Sequence, residues 1–375
     1  MTLAVGNFLL AFSMLTAIVQ GGQFKRATYY SAGQRPYNVV AAQFTKSGNL
    51  DLAIANYVSN QVCILLGNGD GTFKSLPCFP ASLPIGIASG DFNEDGNEDL
   101  AVVETSGTGD GLIAIFLGDG KGGFRLSASY ATGVAPVSVA MADFNGDGHL
   151  DVAVTNKGFD SPGSVMTFFG DGHGKLRGRT TYKLSGGPFG IAAGDVNGDH
   201  SPDLVVAQVD NGTVAVFIND GTGKFEKPVI YKAGGGEVAD VKISDLRNDG
   251  RNDLAIANLS QGMVVLLNKG NGTFGKPAIY RPCSGNCSAG PEACTVADFN
   301  LDGKLDVACA AQIDDSYLFY GKGDGTFSLA VPIADTIKNW GGYGIASGDF
   351  THSKAPDLAI PIQNYGKVAI MINTQ

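Results

Sequence analysis

The sequence predicts an all-β protein, a seven-bladed β-propeller of four-stranded blades whose last blade is completed by the N-terminal strand. Three observations carry this: an acidic motif of nine residues that recurs seven times, a period near fifty residues, and four short apolar runs within each period. The motif begins at Gln43, Asp91, Asp143, Asp195, Asp245, Asp298 and Asp349, and successive starts lie 48, 52, 52, 50, 53 and 51 residues apart. Composition agrees with the pattern. A hydrophobic content of 44% in 375 residues supplies a sizeable core, and 54 glycines call for many turns.

Each period has the same order: an apolar run such as "PVSVAMADF", the acidic loop, "LDVAVTN", a polar break, "SVMTFFG", a glycine turn such as "GDGHGKL", and a last strand ending in Tyr and Gly. The runs are short, rich in Val, Ile, Leu and Phe, and bounded by Gly, Asn and Asp, which is how strands and hairpin turns read. Four such strands make one propeller blade. The chain ends at "KVAIMINTQ", where a glycine turn and a fourth strand should follow, and "GGQFKRATYYSAG" near the N-terminus is that missing piece. Pairing the two closes the ring and removes its open edges.

Aromatic residues mark the last strand of each blade. Phe24, Phe73, Phe124, Phe225 and Phe274 lie six residues before Tyr30, Phe79, Tyr130, Tyr231 and Tyr280, and Leu176 stands in the same relation to Tyr182. An even separation predicts that both side chains share one strand face. Packing between neighbouring blades is the expected role, with sugar stacking the alternative.

The propeller is expected over residues 22–375. Residues 1–21 contain "FLLAFSMLTAIV", short for a membrane span and suited to the apolar segment of a signal peptide or anchor, followed by small residues at "VQG". No Lys or Arg precedes it, and "TLAVGNF" to "GGQF" has the spacing of "DLAIANY" to "GTF", so a worn repeat remnant is the competing reading.

The loop "DFNEDGNED" places five acidic side chains within nine residues and needs a positive charge among them. Calcium takes six to eight oxygen ligands from carboxylates, amide oxygens, a backbone carbonyl and water. Asp91, Asn93, Asp95 and Asp99 supply side-chain oxygens, Asn97 offers its carbonyl, Gly96 allows the turn, and Phe92 points away into the blade. The equivalent sets are Asp143, Asn145, Asp147, His149 and Asp151; Asp195, Asn197, Asp199, Ser201 and Asp203; Asp245, Asp249, Arg251 and Asp253; and Asp298, Asn300, Asp302, Lys304 and Asp306. His200 replaces the turn glycine in one loop, and Arg247 brings a positive charge into another. The loops at Gln43 and Asp349 keep one and two carboxylates and are expected to be empty, which leaves three to five calcium ions. An EF-hand is excluded, because its twelfth position would be Val102 rather than Glu.

Loop, strand order, glycine turn and period together resemble the FG-GAP/VCBS repeat family, whose members are similar to the seven-bladed propeller of integrin α subunits. The resemblance implies a calcium-stabilised propeller used mostly in extracellular adhesion or ligand binding, without fixing a ligand.

Six cysteines fit the pairs Cys63–Cys78 and Cys294–Cys309, each flanking a hairpin, with Cys283 and Cys287 left in the insertion "RPCSGNCSAGPEAC". Disulfides suit an exported chain. A net charge of −10 without a basic cluster excludes nucleic acid. Catalytic machinery is not evident: His149, His173, His200 and His352 fall in loops or turns, "GDGKGG" is a glycine turn, and neither HExxH nor GxSxG occurs. The expectation is a secreted or cell-surface monomer, non-enzymatic, that binds an extracellular protein or glycan through loops on one propeller face. A membrane enters only through an uncleaved N-terminal segment. The alternatives are a lectin, for which Trp340 beside Tyr343 is the place to look, and a polysaccharide lyase. A lyase would need a cluster of Lys, Arg, His or Tyr at the central channel.

Overall fold

Described here are residues 23–106, 109–159, 161–282, 290–311, 316–333 and 343–375 of a computed structural model. The apolar runs become strands, and the strands sort into seven antiparallel sheets, one for each repeat. The first strand of each sheet follows directly from its sequence. Five of the seven open on proline (Pro36, Pro84, Pro136, Pro188 and Pro291), at the one strand position where a missing N–H is harmless. These innermost strands, Pro36–Ala42, Pro84–Gly90, Pro136–Ala142, Pro188–Gly194, Val238–Ser244, Pro291–Ala297 and Ala346–Gly348, pack side by side around a central channel. The second strands, such as Asp151–Asn156 and Asp203–Gln208, are buried along their whole length because neighbouring blades cover both faces.

The ring closes as the repeat phase predicts. Thr28–Ser31 pairs antiparallel with Lys367–Met371, Phe24 bridges to Asn373, and the resulting sheet joins the N-terminal strand to three C-terminal ones. Beyond the ladder, Lys25 N–H donates to Ile372 O at 2.8 Å and Thr374 N–H to Gln23 O at 2.9 Å.

The aromatic pairs correct one expectation. Phe124 packs on Phe44 of the preceding blade at 5.4 Å between centroids, whereas Tyr130 meets Phe168 of the following blade at 6.2 Å. The two rings face opposite ways because the register slips between Leu126 and Ala128, and one extra residue reverses the side chains that follow as far as Ala131. Both still join blades. The recurring joint consists of the second loop residue and the tyrosine of one blade with the phenylalanine of the next: Phe144, Tyr182 and Phe225 form one, and Phe225 N–H donates to Tyr182 Oη at 3.1 Å.

Cys63–Cys78 and Cys294–Cys309 are disulfides, as the spacing suggests. Cys283, Cys287, Trp340 and residues 1–21 lie outside the described residues. Among the described residues no helix is long and apolar enough to cross a membrane.

Candidate functional sites: the acidic loops and the channel mouth

Because each blade runs up and down, the acidic loop and the glycine turn share one face of the ring. The starts of the innermost strands and the polar breaks share the other face. Two sites result, one on each face.

On the loop face, the sequence-predicted ligands of each repeat come together in one tight turn. The first aspartate gathers the backbone N–H groups of the fifth and sixth positions. Asp91 accepts from Asp95 at 3.2 Å and Gly96 at 2.8 Å, Asp143 from Asp147 and Gly148, Asp245 from Asp249 and Gly250, and Asp298 from Asp302 and Gly303. Asn93, Asn145, Asn197 and Asn300 each accept the N–H of the fifth residue, and that residue's own carboxylate accepts the N–H of the seventh: Asn97, His149, Ser201, Arg251 and Lys304. The sixth position needs a left-handed backbone. Gly96 adopts φ 80, and in the loop at Asp195 the histidine His200 takes φ 70 in its place.

The ninth aspartate is a latch. Asp99, Asp151, Asp203 and Asp306 are fully buried, and each holds the N–H of the second loop residue with one oxygen and an N–H at the end of the third strand with the other. Burial pushes the carboxyls of Asp99, Asp151, Asp203 and Asp306 up to about 6, helped in the first by the charges of Asp91 and Asp95. Among the described residues no three Asp, Glu, His or Cys side chains converge on one metal-binding point. The donor chemistry nevertheless suits calcium. Each carboxylate oxygen that accepts one N–H keeps a second acceptor site, and Asn97 Oδ1 is buried without a hydrogen-bond partner. The loops at Asp91, Asp143, Asp195 and Asp298 therefore have the oxygens that a hard cation takes. In the second of these, Arg177 reaches Asp147 at 3.0 Å and competes for one of them.

The remaining loops are satisfied from within. Arg247 donates to both oxygens of buried Asp253, at 2.8 and 3.0 Å, to Asn268 O at 2.8 Å, and pairs with Asp249 at 3.0 Å. Its guanidinium supplies the positive charge that the acidic turn needs. In the first loop Thr45 binds Asp51 through N–H and hydroxyl, and in the last Thr351 binds Asp349 and Asp357.

On the opposite face lies a cluster of which the sequence reading singled out only Tyr343. Counting six residues back from each loop start gives Tyr37, Ile85, Val137, Phe189, Ala239, Glu292 and Tyr343. These positions ring the channel, which opens into a cavity of about 300 Å³. Tyr37 and Tyr343 stack at 4.2 Å with planes 7° apart, and Tyr57 tilts against Tyr37 at 6.3 Å. Arg35 lies over the Tyr57 ring at 5.8 Å, and Lys157 stands between Phe159 and Phe189 at 5.7 and 5.9 Å. Together these residues line an outer cavity of about 230 Å³. Deeper in, Asp240 pairs with Lys242 at 2.9 Å, and Glu292 is 5% exposed, its carboxyl pushed up to about 8 by burial and the charge of Glu237. The available signal was positional: in a repeat, the residues that break the pattern at one aligned position are those freed from packing duty.

A seven-bladed ring of four-stranded sheets, with an acidic turn repeated on one face and a central channel open on the other, defines the class of protein. The chain belongs to the FG-GAP-like repeat family, whose profile matches residues 43–102, 91–154, 143–206, 195–256, 245–309 and 298–360. No curated protein matches the sequence. The fold is similar to that of an Agrocybe aegerita lectin solved for its specific recognition of non-reducing terminal N-acetylglucosamine. That likeness has 17% identity, a TM-score of 0.56, and coverage of 88% of this chain and 86% of the lectin. It is also similar to BBS1N in complex with ARL6DN, at 13% identity and a TM-score of 0.64, covering 94% of this chain and 98% of the other. At these identities the likeness concerns the fold.

Proposed function

We propose that the chain is a calcium-stabilised, non-enzymatic interaction module displayed outside the cell as a monomer, reading a glycan at the mouth of its channel. The observation that carries this reading is the Tyr37–Tyr343 stack with Tyr57, Phe159 and Phe189 around one opening. Aromatic faces pack against the apolar faces of sugar rings, and a concave site with a few polar groups is what small ligands select. The two disulfides suit an oxidising, extracellular setting, and the acidic loops suit its millimolar-range calcium. The lectin among the similar folds is in keeping with the reading.

The test is a glycan array probed with the full chain in calcium, repeated with chelator and with Tyr37→Ala. Loss of binding in Tyr37→Ala, measured well below that variant's own melting temperature, is the expected result. Glycan binding unchanged by that substitution would remove the mouth from consideration.

A second reading, a polysaccharide lyase, is favoured by the same cluster, since Arg35, Lys157, Tyr37, Tyr57 and Tyr343 are the residue types such an enzyme would need at the channel. The chain's histidines, by contrast, sit in loops and glycine turns. Prolonged incubation with acidic polysaccharides, read by ultraviolet absorbance of an unsaturated product, separates the two readings.

A further inference from the structure

We propose that the channel mouth selects an anionic saccharide, a chain end bearing a carboxylate or sulfate, and that Arg35 and Lys157 are the residues that recognise the charge. The inference rests on the glycan reading above and adds its ligand class. It starts from an electrostatic contrast. The chain carries a net charge of −10, and its acidic turns lie on the opposite face, so any cationic opening runs against the overall balance.

At the mouth that contrast is local and specific. Arg35 is exposed, and its guanidinium makes a long contact of 3.5 Å from Nε to the neutral amide oxygen of Gln363. Lys157 is flanked by two aromatic rings. Among the described residues neither cation has a carboxylate within ion-pair distance, and both lie against aromatic rings at the channel mouth. Two positive groups held against aromatic rings, with no counter-ion among the described residues, make an anion site.

The groups behind them do not cancel the charge. Asp240 is neutralised by Lys242, and Glu292 is buried, so that burial and the charge of Glu237 favour its neutral form. Among the described residues no acidic residue lines the outer cavity, and Glu237, whose charge acts on Glu292, is not part of that lining, so an anion entering past Tyr57 meets the guanidinium fork and the ammonium there. The rings of Tyr37, Tyr343 and Phe189 give the sugar body its stacking surface. A guanidinium fork matches a carboxylate or sulfate through paired N–H bonds. The outer cavity of about 230 Å³ is where such a chain end would sit.

The experiment measures binding of the full chain, in calcium, to four probes by calorimetry: a short uronic-acid oligosaccharide, a sulfated one, a neutral oligosaccharide of the same length, and an acidic peptide. The variants are Arg35→Ala, Arg35→Lys, Lys157→Ala and Tyr37→Ala, each assayed well below its own melting temperature. The expected result is that at least one acidic sugar binds, that Arg35→Ala weakens it about tenfold to a hundredfold, and that Arg35→Lys recovers part of the loss. The two acidic probes identify which anion is preferred. The inference is overturned if the neutral sugar binds as tightly as the acidic ones, if Arg35→Ala and Lys157→Ala both leave acidic-sugar affinity unchanged, or if only the peptide binds. Neutral-sugar binding that depends on Tyr37 but not on Arg35 would sink the anion inference alone. No binding to any sugar would sink the glycan reading with it.

Discussion

If the N-terminal strand is a true member of the seventh blade, Phe24 should matter as much as an interior phenylalanine, although it lies close to a chain end. Phe24 is 7% exposed and meets Phe299 edge-on at 6.0 Å. Phe225, at the same place in the fourth blade, is 4% exposed and meets Phe144 at 5.5 Å and Tyr182 at 5.7 Å. Truncating a buried phenylalanine to alanine costs about 3–5 kcal/mol, the larger values where the cavity cannot collapse. Phe225 has a second ring partner and lies far from either terminus, so Phe225→Ala should fall near the middle of that range and Phe24→Ala near about 3 kcal/mol. The assay is urea unfolding at fixed calcium, comparing midpoints at unchanged slope. Deleting residues 1–34 should go further, because the edge of Lys367–Met371 is then unpaired and open to other chains. Aggregation on size exclusion is expected. A Phe24→Ala cost below about 0.5 kcal/mol, against a full cost at Phe225, would show that the closing strand frays and that the ring is held shut by other contacts.

Three further outcomes follow from the loop face. Calcium that binds only the folded ring adds about 2.7 kcal/mol at a hundredfold excess over its dissociation constant, so chelator should lower the melt, Asp302→Ala should reduce the titrated stoichiometry by one, and Ser47→Ala should leave it alone. Arg247→Ala breaks a pair with fully buried Asp253 and should destabilise by about 3 kcal/mol, while Arg247→Asn should add one calcium ion to the count; a titration unchanged by the latter would refute the built-in cation. In chelator, the carboxyls of Asp99, Asp151, Asp203 and Asp306, raised by burial to about 6, bind protons more readily folded than unfolded. Their stabilisation is present at low pH and lost as pH rises through about 6. The chelated protein should therefore gain stability from pH 7.5 to pH 5, whereas the calcium-loaded protein, which needs ionised ligands, should lose it. Parallel slopes would rule out calcium at these aspartates.

The fold was legible because each physical requirement recurs in every period. An acidic turn needs Asp91, Gly96 and Asp99 at fixed spacing, and the joint between blades needs an aromatic second loop residue, so repetition turns local chemistry into a visible period. Closure was legible for the same reason: a missing fourth strand at one end had a surplus counterpart at the other. The face reversal between Phe124 and Tyr130 was not, since a bulge adds a residue to the strand without leaving a mark in its composition.

The channel mouth was hidden for a deeper reason. Tyr37 and Phe189 sit in apolar strands where an aromatic residue reads as core, and only the arrangement of the sheets makes the first strand the innermost one. Arg35 and Lys157 belong to different blades and become neighbours of one cavity only when the ring closes. The same symmetry that stabilises the scaffold also shows where it is relaxed. On the loop face all seven repeats keep the ninth aspartate because each blade must solve the same turn, and a departure such as Arg247 comes with its own positive charge. Six residues upstream, the seven equivalent positions hold Tyr, Ile, Val, Phe, Ala, Glu and Tyr, a spread that no common packing requirement would produce. A ring whose stability is supplied by repetition is free to vary at its open channel, and recognition of an irregular ligand needs that asymmetry.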